Sequence, residues 1–174
     1  AEYFDKISEF EKTVEKKQLK TLTDLQAYII VKERLNEAYE YLIKADESIK
    51  EGSNRKEIIG NLAYGIERYN SALSWSLFLG RSGKSFDINQ ETIKESCIKK
   101  INEAEERINY LNVYFKIPID EAKELLLRSK IELENENYKM CLFKASKAKA
   151  EADIILSFIN VEEEKIESYM ETKL

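Results

Sequence analysis

Side chains that could do chemistry are few in this chain, and the first cluster is Gly80-Arg81-Ser82-Gly83-Lys84-Ser85. A Gly-Lys-Ser run has the form of the end of a loop that cradles phosphate in backbone N–H groups. Such a loop needs another glycine five residues before the Gly-Lys pair and a strand leading into it. Phe78 holds that position, and the residues before it read as helix. The run is therefore read as a polar turn.

The chain has no histidine. That excludes Ser-His-Asp and Cys-His nucleophile systems, zinc sites built on imidazole, and the Glu-x-x-His motif of di-iron bundles. Cys97 and Cys141 fall on the apolar faces of two different helices. The expectation is a pair of buried free thiols, with a disulfide as the alternative in an oxidising location. No catalytic residue, cofactor or metal site is expected, and the chain is read as a non-enzyme.

Aromatic residues offer binding in place of catalysis. Tyr64, Tyr69, Trp75 and Phe78 crowd one helix, beyond what a single buried stripe requires. With Arg68 at the rim, they are candidates for an interaction groove, because partners dock on exposed aromatics and arginines. Filling of the core is the competing reading. Net charge is −5 with the signs interspersed, so a nucleic-acid partner is not expected. The partner would be a protein or a peptide.

These residues have to be positioned by helices. Charged residues make up 35% of the chain, and five glycines and one proline are too few turn formers for a strand-rich fold. The fold class is all-α, as antiparallel helical hairpins in a tetratricopeptide-like array or bundle. Lys and Glu richness fits a thermophilic source. One domain is expected over 1–174, with a leading segment at 1–20, hairpin 1 at 21–80, a linking helix at 88–115 and hairpin 2 at 118–174. The longest run without a charge, Tyr69 to Gly80, is too short for a membrane span of about 20 residues.

The hairpins Asn36–Leu79 and Asp120–Ile159 share a pattern. Asn36-Glu37-Ala38-Tyr39-Glu40-Tyr41-Leu42 aligns with Asp120-Glu121-Ala122-Lys123-Glu124-Leu125-Leu126, and the following helices share Leu62/Leu142, Gly65/Ala145 and Ala72/Ala152. Duplicated helix pairs of this kind build stacked scaffolds.

Periodicity supplies the elements. Tyr3, Phe4, Ile7, Phe10 and Val14 form a leading stripe. The first main helix is capped by Thr21 or Thr23, buries Leu25, Tyr28, Ile29, Leu35, Ala38, Leu42, Ala45 and Ile49, and stops at Gly52. Ser53 or Asn54 caps the second, which buries Ile58, Ile59, Leu62, Ala63, Ile66, Tyr69, Leu73 and Leu77 and ends at Gly80. Its Gly60 and Gly65 are read as points of close backbone approach.

Asp87 and Gln90 form a capping box for a third helix with the stripe Ile93, Cys97, Ile101, Ala104, Ile108 and Leu111. Pro118 and Asp120 restart the chain into a fourth, buried through Ala122, Leu125, Leu126 and Ser129. After a turn at Asn135–Asn137, the last helix presents Cys141, Leu142, Ala145, Ala148, Ala152, Ile155, Leu156 and Ile159. Ile166 and Met170 would extend it as an arm, past the solvated run Glu162-Glu163-Glu164, and that arm could join two copies. Glu103–Arg107 and Glu124–Arg128 are read as i,i+4 ion pairs.

Two segments bear a family resemblance. Asn61-Leu62-Ala63-Tyr64-Gly65-Ile66-Glu67-Arg68-Tyr69-Asn70-Ser71-Ala72-Leu73-Ser74-Trp75 is similar to a helix in the C-terminal region of archaeal Lon-like serine proteases. Residues 137–152, with Cys141-Leu142-Phe143 and spaced alanines, look like a later helix of that region. The resemblance spans roughly residues 35–160. It implies an accessory, non-catalytic domain that follows a Ser/Lys-dyad protease domain in exported or membrane-tethered proteins. Nothing in this chain matches the protease domain, so no catalytic residue carries over. The start at Ala1, directly in helical pattern, fits a piece of a longer protein. Location is extracytoplasmic or membrane-tethered if the resemblance holds, and cytoplasmic otherwise.

Overall fold

The computed structural model describes residues 2–81, 83–85, 89–115 and 118–159, and these are all-α. Six helices are present among them: α1 (Glu2–Glu15), α2 (Leu22–Lys50), α3 (Arg55–Ser76), α4 (Gln90–Tyr114), α5 (Asp120–Glu134) and α6 (Tyr138–Phe158). Their packing gathers the chain into two compact units, Ala1–Ile88 and Asn89–Leu174. The span expected as one domain thus holds two separately packed cores.

In the first unit α2 and α3 are antiparallel, with Asp24 meeting Gly80 at one end and Ser48 meeting Glu57 at the other. Helix α1 runs antiparallel to α2, since Phe4 stacks on Tyr39 while Glu11 and Glu15 reach Lys32. Lys32 is buried. Burial alone lowers its pKa, but the two carboxylates outweigh that and hold it above the usual lysine range. The core of this unit is Ile7, Val14, Val31, Leu35, Ala38, Leu42 and Ala72.

The second unit repeats that direction of travel. The α4 ridge packs on α6, with Cys97 bonded to Cys141 and Arg107 Nε 3.3 Å from Asp153, so these two helices run parallel. Helix α5 returns between them and is tied to α6 by Lys144 Nζ on Glu132 at 2.5 Å. Each unit is therefore a three-helix up-down-up bundle, and the repeat includes a leading helix that the hairpin alignment alone does not contain. Of the aligned positions, Ala38/Ala122, Leu42/Leu126, Gly65/Ala145 and Ala72/Ala152 are buried, whereas Leu62 is exposed and Leu142 only partly buried. The linking helix expected at 88–115 is α4, a full member of the second core.

Capping is local and explicable. Thr21 accepts from the Asp24 N–H while Asp24 accepts from the Thr21 N–H, a closed capping box. Asn54 caps α3. Asn89 caps α4, one residue before the Gln90 expected to close the box; Asp87 lies outside the described residues. The i,i+4 pair Glu124–Arg128 forms at 2.5 Å. Glu103 instead pairs with Lys100 and Arg107 with Asp153, because a partner on the facing helix or one turn earlier lies nearer.

Three expectations are corrected. Cys97 and Cys141 form a disulfide, because α4 and α6 lie side by side with those Cα atoms 5.8 Å apart. Residues Ile49, Ile59, Leu62, Ala63 and Leu77, assigned to buried stripes, are exposed. Helix α2 packs on both α1 and α3, which adds Ala27, Val31 and Ser48 to the buried Leu35, Ala38, Leu42 and Ala45, and α3 has an uncovered side. Gly60 has open space around it, so close approach explains Gly65 alone.

At Gly65 an added Cβ would stand 3.0 Å from Leu42 Cγ and 3.2 Å from the Ala38 carbonyl oxygen. A paired test follows. Gly65→Leu should overpack the hairpin and cost about 3 kcal/mol. Gly60→Ala should stabilise by up to about 1 kcal/mol through helix propensity. Urea midpoints for the two variants should move in opposite directions, and a shared direction would refute the assignment of close contact.

Candidate functional site

Helical geometry decides which of the candidate residues share a face. From Tyr64, steps of four, seven and three residues to Arg68, Trp75 and Phe78 stay within about half a turn. Tyr69 lies five residues from Tyr64 and points elsewhere. It packs edge-on against Tyr3 and Phe10 of α1, with ring centroids 6.1 Å apart in both cases. The other four stand on one side of α3 and its C-terminal turn.

Exposure separates binding from core filling. Tyr64 is 36% exposed, Trp75 39% and Phe78 40%. The Trp75 and Phe78 rings contact each other at 5.4 Å, and Arg81 covers Phe78 at 4.9 Å. Arg68 lies 4.4 Å over the Tyr64 ring and donates to its hydroxyl. Tyr64 in turn leans on Tyr41 of α2 at 4.2 Å.

The cationic groups here are held, not loose. Glu37 Oε2 accepts from Arg34 Nη1 at 2.7 Å and faces Arg68 Nε at 3.3 Å, so one carboxylate is shared by two guanidiniums. The Nε of Arg34 is buried without a hydrogen-bond partner among the described residues. The result is a ridge of aromatics edged by arginines, on a chain of net charge −5.

Two concavities lie elsewhere in the first unit. A cleft of about 650 Å³ opens between α1 and α2, lined by Phe4, Asp5, Glu11, Tyr39, Glu40 and Ile43. Sequence reasoning missed it, since it exists only where two separate elements meet; the exposed Tyr39 at the edge of the α2 stripe was the available signal.

A smaller cavity of about 340 Å³ lies beside Asp24, Gly80, Arg81 and Gly83. Here the phosphate-loop fragment is accounted for. Gly80, with φ of 79°, turns its N–H onto Asp24 Oδ1 at 2.7 Å, and Ser85 pairs with Thr21. A backbone donor that a phosphate would need is thus committed to a carboxylate. The Gly80 N–H, with those of Lys20 and Thr21, holds the Asp24 carboxyl down to about 2 against the cost of burial. A carboxylate so satisfied is neither a useful acid nor a strong base near neutral pH.

Among the described residues no group of His, Cys, Asp and Glu is placed to hold a metal ion. No helix among them is long and apolar enough to cross a membrane. Comparisons with protein families, curated proteins and solved structures found no match.

Proposed function

We propose that this chain is a non-catalytic protein-interaction module, serving as the accessory helical domain of a Lon-like protease and contacting its substrates or partners. The observation that carries the reading is the α3 face, where Tyr64, Arg68, Trp75 and Phe78 stand together at the surface. Aromatic and arginine side chains carry most of the energy in protein interfaces. A disulfide inside the core supports an oxidising location, as export would provide, or a hyperthermophile cytoplasm. A free-standing adaptor would use the same face, and the two readings separate at the gene, where a protease domain encoded upstream favours the accessory role.

Trp75 is the only tryptophan, so its emission reports on the face directly. Titration with unfolded casein, or with a protease domain where the gene encodes one upstream, should shift that emission saturably. Trp75→Ala should weaken binding, followed by fluorescence anisotropy of labelled ligand, while leaving the melting temperature within a few degrees. An unmoved emission with both ligands would defeat the reading. The isolated chain is expected to hydrolyse neither casein nor ATP; turnover abolished by one substitution in this chain would make it an enzyme.

A further inference from the structure

The internal repeat specifies what sits on the exposed face. Positions on α3 and α6 correspond at a constant offset, as Gly65/Ala145 and Ala72/Ala152 show. The α6 ridge Cys141, Ala148, Ile155 therefore corresponds to Asn61, Arg68, Trp75 of α3. Its members recur every seven residues and so lie on one side of the helix.

In the second unit a helix covers that ridge. Cys141 is bonded to Cys97 of α4, Ala148 is fully buried, and Ile155 packs against the same core. In the first unit the leading helix sits differently. Helix α1 lies along α2 and reaches α3 only on the side of Tyr69. The ridge Arg68–Trp75 is left at the surface, with arginine in place of the buried Ala148 and tryptophan in place of the partly buried Ile155.

We propose that this ridge docks an acidic amphipathic helix of a partner protein, seated on α3 as α4 is seated on α6; the proposal rests on the interaction-module reading. Shape comes from the repeat, since the equivalent surface accepts a helix lengthwise. The stretch from Asn61 to Trp75 is about 21 Å, or four helical turns, which suits a groove-bound helix. Chemistry comes from charge. Arg34 and Arg68 share the Glu37 carboxylate, and Arg81 flanks the Trp75–Phe78 pair. Carboxylates on the flank of the incoming helix would complete the neutralisation of the guanidiniums, while its apolar stripe covers Trp75 and Tyr64.

The test uses two fluorescein-labelled helical peptides with the same leucine stripe, one flanked by glutamates and one by lysines, titrated into the full chain and read by anisotropy. The glutamate peptide should bind at least about tenfold tighter than the lysine peptide, and more weakly as salt rises. Arg68→Glu should erase or reverse that preference, and Phe78→Ala should weaken binding without changing it. Circular dichroism melts confirm that both variants fold.

Equal or tighter binding of the lysine peptide would overturn the proposal, as would a preference unmoved in Arg68→Glu. So would equal binding of a proline-broken glutamate peptide, or tighter binding of a single-stranded oligonucleotide. A dimer of the chain that Arg68→Glu dissociates would place a second copy on the face instead. If neither peptide binds but casein still shifts Trp75 emission, the helix proposal fails and the interaction module stands. If nothing shifts it, both fail.

Discussion

Removing the Cys97–Cys141 bond by the double substitution to alanine is expected to destabilise the second unit by about 4 kcal/mol. The bond spans 44 residues, and closing a loop of that length restrains the unfolded chain by about 4 kcal/mol in the chain-entropy account. Domains of this size are stable by only about 5–15 kcal/mol, so much of the margin would be lost. Both cysteines are fully buried. Reductant should therefore act at the rate at which the unit opens, not at the rate of free thiol exchange. Urea unfolding of the double variant beside the oxidised chain tests the first statement. An unchanged midpoint would show that the bond contributes nothing.

The second large effect belongs to Asp24. Its carboxylate accepts from the N–H groups of Lys20 at 3.0 Å, Thr21 at 2.9 Å and Gly80 at 2.7 Å. Asp24→Ala strands buried donors at the start of α2 and at the end of α3 together, and should cost about 3 kcal/mol. The pH dependence has a definite sign. The folded carboxyl titrates at about 2, below the ordinary value of 3.8, so the unfolded chain binds the proton more readily. The stabilisation is complete above about pH 4 and disappears as pH falls through about 2; its size is about 2 kcal/mol. Asp24→Asn keeps an acceptor and should recover part of the loss, with that acid-sensitive component gone. If the wild type and Asp24→Asn lose stability in parallel between pH 4 and pH 2, the Asp24 account is wrong.

Legibility from the sequence tracked how many neighbours a helix has. The stripes of α4 and α5 appear in the structure residue for residue, Ile93 to Leu111 and Ala122 to Ser129. Each of those helices presents one continuous face to one core, which is the situation periodicity describes. Helix α2 lies between α1 and α3; its Leu35, Ala38, Leu42 and Ala45 are buried as read, but the second neighbour also buries Ala27, Val31 and Ser48, which a single stripe does not contain. On α3 the apolar residues outnumber the buried positions, because Ile59, Leu62, Trp75 and Leu77 face outward. The face shared by Tyr64, Arg68, Trp75 and Phe78 follows from spacing, whereas Tyr69, grouped with them in the sequence, packs on α1 instead. What spacing cannot carry is a meeting between distant segments. The disulfide depends on α4 and α6 running parallel, and the Asp24–Gly80 contact joins residues 56 apart in the chain.

The disulfide also changes what a cut backbone means. Helix α5 and the turn after it lie inside the covalent ring closed by Cys97 and Cys141. Asn135 and Glu136 in that turn are exposed, and Glu136 takes a positive φ of 60°, so this is a natural site of attack by a protease. A nick there would not release α6. The two fragments would migrate as one species until a reductant was added, and the severed unit would keep its helices in register through a bond on the opposite side of the ring. For a domain proposed to work beside a peptidase, cleavage at this exposed turn would be a scar and not a dismantling.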